Sequence, residues 1–167
     1  MILFPLTGYA RETQTPDITS MDNGAITFYF ADQNLQCGFP FGGSANFVEA
    51  PRDDSDYCKE LKNGGYFKLN NVPSASNIYL ISARSSPGQS PSAPKNCTPA
   101  RNGTTNYGWW KLTTVKQPTS MTDKVRIEDL KTISIPGMVV PGVRLVDSYK
   151  SGNDSDTITC AIMEVSP

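Results

Sequence analysis

Short runs of aromatic and β-branched residues alternate with polar positions along this chain, and Pro, Gly and Ser separate the runs. In residues 25–31, Ile26, Phe28 and Phe30 fall on one side of an extended chain, which predicts a half-buried strand. Residues 77–83 are apolar almost throughout, and this pattern predicts a strand buried on both faces. Four more strands are predicted at residues 107–114, 124–128, 138–146 and 157–165.

These patterns predict an all-β fold, either an antiparallel β-sandwich or a Greek-key domain, with long loops and at most one short helix. The helix is expected at residues 56–62, because Ser55 is a suitable N-cap and Asn63-Gly64-Gly65 is a stop signal. The last two strands, joined through residues 151–154, are expected to pair as a C-terminal hairpin.

Residues 85–106 differ in composition from the rest of the chain, because they are rich in Ser, Pro and Gly and contain no aliphatic residue larger than Ala. We interpret them as a long surface loop within a single disulfide-stapled domain that spans residues 1–167. A division into two lobes at this loop is the alternative. A short internal similarity favours that division, since residues 65–72 and 108–115 share a Gly, two aromatic residues, Lys-Leu and a later Val.

The chain has four cysteines, Cys37, Cys58, Cys97 and Cys160, with gaps of about 20, 40 and 60 residues. Zinc sites draw ligands from close pairs such as C-x-x-C, so this spacing argues against a metal site. An even number of widely spaced cysteines instead predicts disulfides and an extracytoplasmic location, either secreted or in a periplasm or cell envelope. Three pairings are possible, and Cys37–Cys58 with Cys97–Cys160 is preferred because each bridge would close a flexible loop.

Basic and acidic residues are nearly balanced, 15 against 16, and neither kind forms a long run. This balance argues against nucleic acid as a partner, because nucleic-acid binding requires a basic surface. The longest apolar stretch, residues 1–6, is too short to span a bilayer. No transmembrane segment is therefore expected.

The start of the chain and its N-glycosylation sequons point to two different kinds of organism, a bacterium and a eukaryote. Residues 1–8 resemble the end of a bacterial lipoprotein signal, with Tyr9 in the position of the lipid-bearing cysteine. Three N-x-S/T sequons, at Asn96, Asn102 and Asn153, favour a eukaryotic secreted glycoprotein. Both interpretations predict an extracytoplasmic protein.

The chain contains no histidine, which excludes catalysis by a Ser–His or Cys–His pair. A pair of carboxylates, as in a small glycosidase-like hydrolase, is the acid–base chemistry still available. The candidates for such a pair are Glu49, Asp53, Asp54, Asp56, Glu60, Glu128 and Asp129. Their spacing selects no two of them, so we assign no catalytic residue and do not expect an enzyme.

The best candidates for ligand binding are Tyr107, Trp109 and Trp110. Successive side chains of a strand point to opposite faces, so one indole is expected in the core and the other on the outside. An exposed aromatic side chain can bind a glycan or a protein partner. Burial of both indoles beneath the sheet and the long loop is the alternative.

Two clusters of oxygen ligands are of the kind that Ca²⁺ prefers. The first is formed by Asp53, Asp54 and Asp56, and the second lies at residues 153–156. A helix N-cap and a hairpin turn explain the same residues without a metal. No cofactor is expected, with Ca²⁺ as the possible exception.

A second route to Ca²⁺ comes from a family resemblance. The aromatic strand at residues 26–29, the turn that leads to Gly38, and Asn70, Asn71 and Ser74 ahead of the next strand resemble a βγ-crystallin Greek-key motif. The resemblance covers residues 26–82. It implies a two-sheet Greek-key module that binds Ca²⁺ through groups around Asn70, Asn71 and Ser74.

Together these patterns predict an extracytoplasmic, non-enzymatic binding or interaction module, such as an inhibitor, an immunity protein or an envelope protein. Its contact surface would be the loop around Cys97, and its partner another protein. The alternatives are a carbohydrate- or Ca²⁺-binding Greek-key module and a small hydrolase that uses paired carboxylates.

Overall fold

The computed structural model describes residues 24–48, 58–59, 61, 65–84, 97–102, 104–151 and 157–165. Eleven strands are present in these ranges: β1 Ala25–Tyr29, β2 Leu35–Pro40, β3 Ser44–Val48, β4 Cys58–Lys59, β5 Tyr66–Asn70, β6 Ser76–Ala83, β7 Asn106–Thr114, β8 Val125–Arg126, β9 Gly137–Val140, β10 Val143–Lys150 and β11 Cys160–Val165. A six-residue 3-10 helix, Ile127–Thr132, follows β8. No helix among these residues is long and apolar enough to cross a membrane.

The strands form two sheets. The small sheet has the order β2-β1-β5-β8, and the large sheet has the order β4-β3-β11-β6-β7-β10-β9. Neighbouring strands are antiparallel except for β3 and β4, which are parallel. The all-β prediction is therefore confirmed.

The two sheets pack against each other through one apolar core. Phe28 of the small sheet contacts Phe47 of the large sheet edge to face, with 5.0 Å between the ring centroids. The core also contains Ile26, Phe67 and Leu69 from the small sheet, and Ile78, Leu80, Leu112 and Met163 from the large sheet. Strand alternation explains these positions, since every second side chain of a strand faces the opposite sheet.

The segment 85–106 separates two strands that pair directly, β6 and β7. Residues from both sides of that segment contribute to the same core. The single domain and the alternative division into two lobes both stay predictions, although the shared core favours the single domain.

The expected burial of residues 77–83 on both faces is confirmed. Ile78 and Leu80 of β6 face the small sheet, whereas Ile81 and Ala83 pack in a second apolar cluster on the other face. Such double burial requires a strand in the middle of a sheet, and β6 lies between β11 and β7.

The predicted helix at residues 56–62 is wrong at every position of that range that the structure describes. Cys58 and Lys59 form β4, and Leu61 bridges Ile158 of the neighbouring chain segment. A helix of this length is marginal on its own propensity. An extended chain at the edge of the large sheet allows Leu61 to be buried and Cys58 to form its disulfide.

The predicted C-terminal hairpin is also wrong. β11 pairs with β3 and β6, whereas β10 pairs with β7 and β9, so two strands lie between them. On one face of the large sheet, β11 buries Cys160. On the opposite face it buries Ala161 and Met163, which belong to the core between the two sheets. A strand with two apolar faces is more stable in the interior of the sheet than at the side where β9 and β10 lie.

Two other predicted strands have different limits in the structure. Residues 138–146 divide into β9 and β10 at a turn formed by Pro141 and Gly142. Residues 124–128 contain only the two-residue β8, after which the 3-10 helix begins. β2, β3 and β5 were not expected from the pattern, and β4 lies where a helix was expected.

Candidate functional site

Two disulfides join distant parts of the chain, Cys37–Cys58 and Cys97–Cys160. All four cysteines are described and none is free, so the preferred pairing is confirmed. The first bridge links β2, an edge strand of the small sheet, to β4, an edge strand of the large sheet. The second fixes residues 97–102, here called the pinned segment, to the start of β11.

The pinned segment lies on the outer face of the large sheet, which we define as the face turned away from the small sheet. Trp109 of β7 is on this face, in register with Ile81 of β6 on one side and Tyr149 of β10 on the other. Tyr79 approaches the Trp109 ring edge on, with 6.4 Å between centroids, and Tyr149 lies at 6.5 Å. Aromatic side chains therefore occupy three adjacent central strands.

Trp109 is held beneath the pinned segment by contacts of different kinds. Its indole Nε1–H donates to the carbonyl oxygen of Ala100 at 3.2 Å. The Arg101 guanidinium lies 5.0 Å from the ring centroid, within the range of a cation–π contact. The Ala100 N–H donates to Asn106 Oδ1 at 2.7 Å, which fixes the segment to the start of β7. As a result only 5% of Trp109 is exposed.

Arg101 also binds groups of β10 at positions that do not pair with β9. It makes a two-pronged ion pair with Asp147, with Nη2 at 2.5 Å from Oδ1 and 2.6 Å from Oδ2. Its Nη1 donates to the Ser148 carbonyl at 3.4 Å, and the Ser148 N–H donates to Asp147 Oδ1 at 2.8 Å. β9 pairs with β10 only over Val143–Leu145, so these side chains satisfy backbone groups beyond the end of that pairing.

Trp110 points the other way, into the core between the sheets, and is 6% exposed. The two indoles take opposite faces as expected, but neither is exposed, so the alternative, burial of both beneath the sheet and the long loop, is the correct one. Trp110 also forms one wall of a cavity of about 150 Å³. The cavity is lined by Trp110, Leu130, Lys131, Ile133, Ile135, Ser148, Tyr149 and Lys150.

Tyr107 is the most accessible of the three aromatic residues selected from the sequence. It is half-buried, and the Arg84 guanidinium lies 4.2 Å from its ring centroid. Because Trp109 and Trp110 expose so little of their surface, Tyr107 is the member of the trio that a ligand could reach first. The ligand-binding role of Tyr107, Trp109 and Trp110 stays a prediction.

The proposed Ca²⁺ ligands Asn70, Asn71 and Ser74 lie at the turn between β5 and β6. The Asn71 N–H donates to Ser120 Oγ at 2.8 Å, and the Ser74 N–H donates to Gln117 Oε1 at 2.7 Å. These bonds fix the turn to the chain at residues 117–120 without a metal. Asp53, Asp54 and Asp56 lie outside the described residues. No group of three His, Cys, Asp or Glu side chains suited to a metal ion occurs within the described ranges.

Of the seven carboxylates considered for catalysis, the structure describes Glu128 and Asp129. Glu128 forms an ion pair with Arg126 at 2.8 Å, and both residues lie in or next to the 3-10 helix. Neither carboxylate lines the cavity beside Trp110. The hydrolase alternative stays a prediction.

The sequence did not reveal the residues that complete this surface. Tyr79 and Tyr149 could have been found from strand alternation, because each occupies an outward position in register with Lys111 or Trp109. Arg101 and Asp147 are 46 residues apart and meet only in the folded chain. No local pattern predicts their contact.

The chain matches no protein-family model, no curated protein and no solved structure. The βγ-crystallin resemblance of residues 26–82 therefore stays a prediction. Those residues form β1 to β6, which are distributed over both sheets.

Proposed function

We propose that this protein is an extracytoplasmic, non-enzymatic interaction module of the inhibitor, immunity or envelope type, and that the pinned segment is its contact surface. The observation that carries the proposal is the attachment of residues 97–102 at several points. The Cys97–Cys160 bridge, the Trp109 hydrogen bond and the Arg101–Asp147 ion pair hold the segment in one conformation.

A pre-ordered segment binds a partner at a lower entropic cost than a flexible one. Immobilising each rotamer-rich side chain at an interface costs about 0.5–1.5 kcal/mol, and Arg101 is already held in place by Asp147. The side chain of Arg101 is nevertheless 57% exposed, and Asn102 and Thr104 are exposed beside it. Arginine next to aromatic side chains is a common composition at the centre of protein interfaces.

The compartment is supported by the cysteines. Both disulfides close without leaving a free thiol, and disulfides persist in oxidising environments. In a glutathione-rich cytosol these cysteines would be kept reduced, and the pinned segment would lose its covalent attachment. The proposed contact surface therefore requires an extracytoplasmic location.

Photo-crosslinking tests this proposal. A photoreactive amino acid is placed at Thr104, beside the pinned segment, and in a second variant at Thr122, another exposed threonine, near β5. We expect an adduct with one protein of the secreted or envelope fraction from position 104 and none from position 122. The purified partner should then lose about tenfold in affinity for the Arg101→Ala variant. Adducts that form equally at both positions, or at neither, would contradict the proposal.

Glycan recognition is the second candidate, and the half-buried Tyr107 on the outer face is the observation that favours it. An aromatic ring beside a guanidinium can stack on a sugar and donate hydrogen bonds to its hydroxyls. A glycan array tests this candidate, with binding expected for the wild type and lost for Tyr107→Ala. Binding that survives in that variant would place the sugar site elsewhere.

A further inference from the structure

β9 is the last strand of the large sheet at the side opposite β4, and it pairs only with β10 among the described strands. Its sequence, Gly-Met-Val-Val, contains neither a charged residue nor a proline. The other described edge strands differ from it. β2 ends at Pro40, β4 and β8 are two residues long, and these two contain Lys59 and Arg126. Short length, charge and proline are the features that keep an edge strand from pairing with another chain. Of these three features, β9 has only a limited length, of four residues.

Exposed apolar side chains gather beside this edge. Four large apolar residues are exposed in the described ranges, and three of them lie close to β9 in the chain or in space. Met138, within β9, is 56% exposed, and Ile135, two residues before the start of β9, is 47% exposed. Val115 is 50% exposed, and its N–H donates to the Gly142 carbonyl at the turn that follows β9. The fourth, Leu35, is at the start of β2.

The backbone of β9 is available on one side. Within the described ranges, residues 137–140 make no backbone–backbone hydrogen bond outside the β9–β10 pairing. A terminal strand directs half of its N–H and C=O groups away from its partner, so an extended peptide can continue the sheet there. Such addition supplies main-chain hydrogen bonds, and side chains such as Met138 supply the apolar contacts.

The charges around β9 are mostly basic. Arg144 is exposed and in register with Met138, and Lys116 approaches the turn at Gly142. Lys131 and Lys150 line the cavity beside Ile135. Asp129 and Glu128 precede Lys131 by two and three positions, and Asp147 is bound to Arg101. Lys131 and Lys150 each have a partner of their own, so the basic charge that another protein could meet beside β9 comes from Arg144 and Lys116.

This basic border contrasts with the net charge of −1 for the whole chain. Opposite charges at the rim of an interface attract a partner, and like charges reduce its affinity. An acidic segment is therefore favoured over a second copy of the same edge, which would bring the two basic borders together.

We propose that the free edge of β9 is a docking site for an extended segment of a partner protein, with apolar residues at alternate positions and acidic residues at its ends. The segment adds as a new strand next to β9 and covers Met138 and Ile135. The site is formed by residues in and around β9 and not by the pinned segment, and the inference does not depend on the proposed contact surface there.

Fluorescence anisotropy with labelled peptides tests the docking site. The probe is an eight-residue peptide of alternating valine and threonine with glutamate at both ends. One control peptide has lysine at both ends, and another has proline in place of a central valine. We expect the acidic peptide to bind at least about tenfold more tightly than the basic one, because of the border charges, and the proline peptide not to bind.

Two protein variants locate the binding. Met138→Ser, which removes the apolar contact without adding a charge, should weaken the acidic peptide by about tenfold or more, whereas Leu35→Ser, a matched change at an exposed apolar residue of another edge, should leave the affinity unchanged. Both positions are exposed, so both variants should fold, and circular dichroism checks this.

Three results would overturn the inference. The first is no binding of the acidic peptide up to 1 mM, and the second is equal binding of the acidic and basic peptides. The third is a concentration-dependent dimer in sedimentation that Met138→Ser abolishes, because a second copy would then occupy the edge.

Discussion

Removing the Cys97–Cys160 bridge tests how the outer face is held together. The variant Cys97→Ala/Cys160→Ala replaces both thiols by small apolar side chains, which suits the buried position of Cys160. A disulfide stabilises a protein largely by restricting the unfolded chain, and the restriction grows with the length of the closed loop.

The magnitude follows from the separation of the two cysteines. For a separation of 63 residues, the chain-entropy relation gives a loss of about 4.3 kcal/mol in the free energy of unfolding at 25 °C. For the Cys37–Cys58 bridge, with a separation of 21 residues, the same relation gives about 3.3 kcal/mol. In a domain of this size, a loss of 4.3 kcal/mol corresponds to a decrease in Tm of about 10–15 °C.

Urea denaturation of the wild type and the two double variants measures these losses. The expected order of stability is wild type, then Cys37→Ala/Cys58→Ala, then Cys97→Ala/Cys160→Ala. The slope of the unfolding free energy against urea should rise in both variants, because an uncrosslinked unfolded chain exposes more surface.

A local measurement separates effects on the folded state from effects on the unfolded state. In a Trp110→Phe background, Trp109 is the only indole, so its emission reports the cover provided by the pinned segment. We expect a shift to longer wavelength on loss of the Cys97–Cys160 bridge and no shift on loss of the other bridge. The reasoning would be refuted by a loss of stability below about 2 kcal/mol together with unchanged Trp109 emission.

Three further predictions concern the core, one turn and one ion pair. Phe28→Ala should lower the free energy of unfolding by about 3–5 kcal/mol, because the ring is buried between the sheets, and a loss below about 2 kcal/mol in urea would contradict the packing described. Gly24→Ala should lower the free energy of unfolding by about 2 kcal/mol or more, since φ is +92° and the new Cβ would lie 2.8 Å from the Asn71 carbonyl oxygen. The control Gly42→Ala, at φ +78° with open space around the new Cβ, should lower it by only about 1 kcal/mol, and equal losses of Tm in the two variants would refute the clash. Arg101→Ala should change the unfolding free energy by less than about 1 kcal/mol, because the ion pair is largely exposed, and a loss above about 2 kcal/mol would show that the pair is structural rather than a surface feature.

Much of the fold could be predicted from local patterns. Alternation in residues 25–31 and the apolar run of residues 77–83 identified β1 and β6, and the second pattern also indicated burial on both faces. The cysteine pairing that was preferred among three possibilities, because each bridge would close a flexible loop, is confirmed. These features depend on residues near one another in sequence or on simple chain statistics, and both are visible without a structure.

The errors came from tertiary effects. Residues 58–61 carry a weak helix signal, but the Cys58 bridge and the burial of Leu61 keep them extended. The order of strands in the large sheet depends on which strands bury two faces, and this placed β11 in the interior. Only the split between β9 and β10 had a local signal that could have been used, because Pro141-Gly142 is a common turn pair.

The candidate site was predicted in part. The long loop with Cys97 was correctly identified as being fixed by a disulfide, and β7 does carry two indoles on opposite faces. The contacts that define the surface involve Arg101, Asp147 and Ala100, which occupy unremarkable positions in the sequence. Contacts between such distant residues depend on sheet register, and a single sequence does not encode them in a local pattern.

The most direct test of the account is disulfide mapping of the protein isolated from its natural source, with free thiols alkylated at lysis. Mass spectrometry of the unreduced digest should find Cys37 linked to Cys58 and Cys97 linked to Cys160, with no alkylated cysteine. Four alkylated thiols would contradict the extracytoplasmic location and the pinned segment together, because both depend on the oxidised Cys97–Cys160 pair.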